Sequence, residues 1–136
     1  MSKWFVMKNK IISIIRLMFY FANIILTVLY LFPGSILGWI LYDNMYKQPQ
    51  ITSDIIVSTN HVYAFILLTV LGVFSFNHKI KELFLYLFSI LIIFELLHLI
   101  IPNRGFEFSD LFGNIIGVLI IYLMKNIFHI LKRKKI

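Results

Sequence analysis

Glu95 and His98 stand three residues apart inside an otherwise apolar run, Leu83 to Ile101. Helical spacing puts them on one side of their helix. A carboxylate and an imidazole so placed can exchange protons or hold a cation. Beyond the stop at Pro102 come Asp110, Asn114 and Gly117, at i, i+4 and i+7, a single helical stripe. The connection between them, Pro102 to Ser109, is short and forces the two helices to be antiparallel neighbours. At 1.5 Å per residue Glu95 lies roughly 9 Å below the outer end of its helix and Asn114 about 6 Å below Asp110, so both reach similar depth. Arg104 sits in the connecting loop, and His61 opens another apolar run. Arg104, Glu95, His98, His61, Asp110 and Asn114 thus form a candidate ligand-binding cluster. Arg104, helped by the two histidines, suits a phosphate or other anionic headgroup, which arginine binds bidentately. Glu95 and Asp110 would orient it and balance its charge. Glu95, His61 and His98 are also the candidates for general acid–base catalysis, although no G-x-S-x-G nucleophile motif is present. A zinc site from His61, His98 and a carboxylate would rest on one Glu-x-x-His on a lone helix, weak ground for a metal. Neither a metal nor another cofactor is expected.

Plainer roles exist for most of these residues. Asp110 beside Ser109 can complement the positive end of a helix, and Asn114 can hydrogen-bond between helices. Gly113-x-x-x-Gly117 and Gly34-x-x-x-Gly38 read as packing notches. Arg104 fits an interfacial cation, and His78 and His129 fit surface positions. Glu95 is the exception, since a buried carboxylate needs a partner, and Arg104, His98 and His61 are the ones available.

The elements that must position this cluster follow from composition. Of 136 residues 60% are hydrophobic and 14% charged, and the mean hydropathy is +0.89. Soluble domains hold about 25% charged residues, and a chain this small cannot hide so much apolar surface in water. The reading is an all-α polytopic membrane protein of a single domain, 1–136. A span needs about 20 apolar residues, and four stretches qualify: about 11–32, 55–76, 83–101 and 110–131. The first ends at Pro33-Gly34, and the second recruits a polar start near Ser53-Asp54, where serine can cap. Residues 36–42 are too short to span and fit either an interfacial or a re-entrant segment. Cysteine is absent, which excludes disulfides and thiol chemistry.

The formal charge is +7. Lys3, Lys8, Lys10, Arg16, Lys79, Lys81, Lys125 and the closing Lys132, Arg133, Lys134 and Lys135 all fall on one side of the four spans. Only Lys47 and Arg104 fall on the other. Basic residues collect in cytoplasmic loops, so both termini are expected inside. The excess is an orientation signal, which residues 132–135 could also direct at anionic lipid; nothing supports nucleic acid as a partner. The first span has a basic lead but no small-residue cleavage site, so it reads as a retained anchor rather than a secretory signal. Tyr30, Trp39, Tyr42, Tyr46 and Tyr63 gather toward the outer boundary, as in an interfacial aromatic belt.

The stretch from Glu95 through His98, Arg104, Asp110 and Asn114 to Gly117 resembles the VanZ-like membrane family. That family has a Glu, a Gln three later, an Arg nine after the Glu, and then Asp, Asn and Gly; the last three intervals of six, four and three are all met. His61 in His61-Val-Tyr-Ala-Phe65 is similar to the family's earlier His-aromatic motif. His98 replaces the usual Gln, and Val57 and Ser58 replace an Asp-Lys pair. The resemblance implies a multi-pass protein of the bacterial or archaeal cytoplasmic membrane, within the cell envelope. It implies little chemistry.

Three functions remain open on this reading. The first is binding of an anionic lipid or envelope glycolipid by the outward cluster. The second is an enzyme acting on an envelope lipid. The third is a structural membrane protein that binds a partner or its own copies, in which the cluster only locks helix packing. Transport fits less well, because the intramembrane charges stop in the outer half.

Overall fold

The computed structural model describes residues 3–133. Helices α1 (Lys3–Leu31), α2 (Ile36–Tyr42), α3 (Thr59–Ser75), α4 (Ile80–Leu97) and α5 (Phe108–Arg133) follow one another, with a 3-10 turn at Asn77–Lys79. There is no strand among the described residues. Two helices, α1 and α5, are long and apolar enough to cross a membrane. Only 11% and 22% of their most apolar windows are buried within the protein. Neither is therefore the enclosed core helix of a soluble domain.

Helix α3 is the centre of the bundle, packed against α5 and α1, while α4 closes on α5. Its buried residues His61, Phe65, Leu68, Thr69, Gly72 and Ser75 recur at helical intervals along one side. Phe65, Leu68, Leu87, Leu91 and Val118 fill the core where α3, α4 and α5 meet. Gly113 and Gly117 let α5 come close. A Cβ at Gly113 would stand 2.6 Å from the Ser58 carbonyl oxygen, and one at Gly117 2.6 Å from that of Val62. The packing-notch reading of this pair therefore holds.

Several helix ends differ from expectation. Helix α1 extends from Lys3, ahead of the apolar run at Ile11, because no breaker separates the basic lead from that run. Helix α3, within the apolar stretch read from about residue 55, begins only at Thr59 and has 17 residues. Its start is capped not by Ser53 but by Asp54, whose Oδ1 accepts from the Thr59 amide at 2.7 Å and hydroxyl at 3.0 Å. Helix α4 starts three residues before Leu83 and leaves regular geometry after Leu97, short of Ile101. Glu95 consequently lies in the last turn, nearer the helix end than 9 Å. The reversal uses Asn103 at φ 59°, a left-handed position that asparagine tolerates. Residues 36–42 form the short α2, with Ser35 Oγ accepting from the Gly38 amide at 2.9 Å. Gly34 adopts φ +102° where the chain turns beside Met45, a conformation that favours glycine.

At the far end of the bundle Arg16 reaches the Ser75 carbonyl at 3.4 Å and covers the Phe76 ring. The basic residues from Lys3 to Arg16, Lys79, Lys81 and Lys125 to Arg133 belong to that end. Lys134 and Lys135 of the basic tail lie outside the described residues.

Candidate functional site

The C-terminal ends of α1 and α4 meet the N-terminal ends of α3 and α5. Each helix delivers polar groups there, and the two positive and two negative helix ends largely offset one another, so the side chains set the local charge. From α3 comes His61, one turn above Phe65; from α5, Asp110 and Asn114; from α4, Glu95 and His98. All six residues expected to form the cluster are brought to this end.

Glu95 is fully buried and His98 is 2% exposed. Glu95 Oε1 accepts from the Glu107 amide at 2.8 Å and faces His98 Nδ1 at 3.5 Å. His98 Nε2 lies 3.0 Å from the Tyr30 carbonyl oxygen, which can only accept, so Nε2 carries a proton. Nδ1 and Oε1 therefore need a second proton between them. Glu95 Oε2 has no hydrogen-bond partner among the described residues.

The second pair joins α3 to α5. His61 Nε2 stands 3.4 Å from Asp110 Oδ2, and His61 Nδ1 lies 3.1 Å from Asn114 Oδ1 and 2.9 Å from the Tyr30 hydroxyl. The Tyr30 hydroxyl in turn donates to Asn114 Oδ1 at 2.6 Å. Asn114 is bonded to Tyr30 and His61, not to Glu95.

Tyr30 is the member of the site that residue type did not announce. It does not belong to an interfacial belt: it is 7% exposed and stacks on His98 with 5.9 Å between ring centroids. Trp39, Tyr42, Tyr46 and Tyr63 remain exposed. Tyr30 lies 11 residues after Phe19 and 4 after Leu26, the other two buried positions of α1. That shared helix face was the available signal.

Arg104 is less free than a loop cation. Its Nη2 donates to the Leu29 carbonyl at 2.8 Å and its Nε to the Phe32 carbonyl at 3.2 Å. It thereby satisfies the open end of α1, whose last carbonyls lack helical partners. Burial draws the guanidinium below its ordinary pKa, while Asp110, Tyr30 and Glu95 pull it upward. It stays charged and offers Nη1 to the space beside it.

Two cavities adjoin the cluster. One, of about 390 Å³, is largely apolar and runs between α1, α2 and α3, past Leu26, Leu29, Leu37, Ala64 and Leu67. The other, of about 310 Å³, is polar and bordered by Asp54, Ser58, Glu107 and Asp110. Ser35, Gln48, Gln50, Asn60, His61, His98 and Arg104 border both. Together they can take a molecule that is polar at one end and apolar at the other. No protein-family model, curated protein or solved structure matches the chain.

Proposed function

We propose that the chain is a VanZ-like membrane protein with four spans, both termini in the cytoplasm, whose outward end binds the anionic headgroup of a lipid or envelope glycolipid. The observation that carries this reading is the pair of adjoining cavities with His61, His98 and Arg104 in their common wall. A headgroup fits the polar cavity beside Arg104, and an acyl or isoprenoid chain fits the apolar one between α1, α2 and α3. Four spans are supported by α3 and α4. At 17 and 18 residues they reach about 26 Å, close to a hydrocarbon core of about 30 Å. The orientation is supported by the basic residues, which gather at the end away from the cavities. Family membership is supported by the convergence of Glu95, His98, Arg104, Asp110, Asn114 and His61 at one end of the bundle.

The test is anionic lipid retained by the purified protein, quantified by mass spectrometry, for wild type, Arg104→Ala and Arg104→Gln. A hydrogen bond to a charged group contributes about 1.5–3 kcal/mol, so each variant should retain anionic lipid at least about tenfold less well. The Gln variant can still donate to an α1 carbonyl. Equal retention in either folded variant would remove the proposal. Catalysis on the same lipid has its own support, because Glu95–His98 and His61–Asp110 are proton-sharing pairs at one site. It predicts conversion of the bound lipid by wild type and none by Glu95→Gln.

A further inference from the structure

We infer that His61, Asp110 and Glu95 form a binding site for one divalent transition-metal cation, with His61 and Asp110 on the wall of the polar cavity and Glu95 buried. One ligand atom from each residue lies within 4.8 Å of the other two. The set keeps His61 from the His61, His98 and carboxylate combination weighed from the sequence, but has a second carboxylate in place of His98.

The protons support it. Asn114 Oδ1 accepts from the Tyr30 hydroxyl and, as a carbonyl oxygen, can only accept from His61 Nδ1 as well. With the Asn114 amide in this orientation, which leaves its Nδ2 without a partner among the described residues, His61 carries its proton on Nδ1 and turns Nε2 to Asp110 Oδ2 at 3.4 Å. Two acceptors that face each other call for a proton or a cation between them. A third acceptor is a Glu95 carboxylate oxygen within 4.8 Å of the other two ligand atoms. Glu95 Oε2 is fully buried and has no partner among the described residues, while Oε1 is already engaged by the Glu107 amide and His98.

The remaining contacts are those a metal site uses. A ligating histidine ordinarily donates its other N–H to a fixed acceptor, which sets ring orientation; Asn114 and Tyr30 supply this for His61. His98 and the Glu107 amide do the same for Glu95. One imidazole and two carboxylates suit zinc, manganese or iron(II) better than calcium or magnesium, which favour all-oxygen sets. Zinc bonds of about 2.0–2.2 Å place tetrahedral ligands roughly 3.4 Å apart, so the ion draws the three side chains inward by about 1 Å. Asp110, with its side chain 20% exposed, has room to move. Three protein ligands leave the fourth position open toward the cavity.

The consequence for ligand binding rests on the headgroup reading above. Asp54, Glu107 and Asp110 border the polar cavity, with Arg104 as the permanently charged cation among its lining residues. A divalent ion held by Asp110 and Glu95 offsets their two negative charges and offers an anionic headgroup a direct ligand position.

The full-length protein, purified with a chelator and then dialysed, is titrated with Zn²⁺ and with Mn²⁺ without added lipid. One equivalent should bind saturably. Asp110→Asn and His61→Gln should each weaken binding at least about tenfold. Glu82→Gln, an exposed carboxylate in the first turn of α4 and outside the cavity, should leave it unchanged. X-ray absorption of the zinc-loaded wild type should show nitrogen and oxygen neighbours at about 2.0–2.1 Å with imidazole scattering, a reading that needs no variant to fold. Absence of saturable binding, a first shell without imidazole, or unchanged affinity in a folded Asp110→Asn protein would each overturn the inference. Lipid retention measured with chelator present reports on the headgroup reading alone, so the two can fail separately.

Discussion

Tyr30 joins three helices through one hydroxyl and one backbone carbonyl. The hydroxyl contacts His61 of α3 and Asn114 of α5, and the carbonyl receives His98 from the end of α4. Tyr30→Phe keeps the ring stacking but removes the hydroxyl from a buried network. A buried polar group left unsatisfied costs about 1–3 kcal/mol, so the variant should lose that much stability in denaturant unfolding of the detergent-solubilised protein. An unchanged midpoint would mean that Asn114 and His61 satisfy each other without it. Arg104 also acts at this scale, but through its two α1 carbonyls as well as its charge, which is why a neutral hydrogen-bonding replacement is needed beside alanine.

Between elements, the closest approach is α5 against α3, and it sets the distance across which His61 meets Asp110 and Asn114. Gly113 and Gly117 lie on the same seam as Asp110 and Asn114, one turn apart, and face Ser58 and Val62. Gly117→Ala brings a Cβ against a backbone carbonyl, which cannot rotate away. Overpacking of this kind costs about 1–3 kcal/mol. The expected result is a lowered midpoint of thermal unfolding for Gly117→Ala, with Gly105→Ala unchanged, since nothing lies within 4 Å of a Cβ at Gly105. Equal midpoints would show that α3 and α5 shift apart at little cost. The apolar segments and their order were legible along the chain, because burial in α3 recurs with the helical period. The start of α3 was not. Residues 55–58 carry two isoleucines and a valine, yet the helix waits for Asp54 to cap Thr59 across five residues.

For the molecule as a whole, the charge distribution and the position of the cavities make opposite ends distinguishable. The chain has no cysteine, so single replacements at two exposed positions give a clean test of orientation. Gly105→Cys, in the α4–α5 connection, should react with a membrane-impermeant maleimide on intact cells. His78→Cys, between α3 and α4, should react only after permeabilisation. The reverse pattern would invert the topology and put the cavities on the cytoplasmic side. The chain by itself determined the helical class, the apolar segments, the charge asymmetry and the six polar residues that gather at one end. Those features are set by composition and by spacing within a helix, which are local. Tertiary structure decided which atoms meet. It turned Tyr30 from a boundary aromatic into the hub of the network, gave Asn114 to His61 rather than to Glu95, and tied Arg104 to the end of α1. It also brought one oxygen of Glu95 within 4.8 Å of ligand atoms of His61 and Asp110. Each of these contacts joins residues far apart in the chain, and the partner of a buried polar group depends on the approach and rotation of packed helices, which no local pattern encodes.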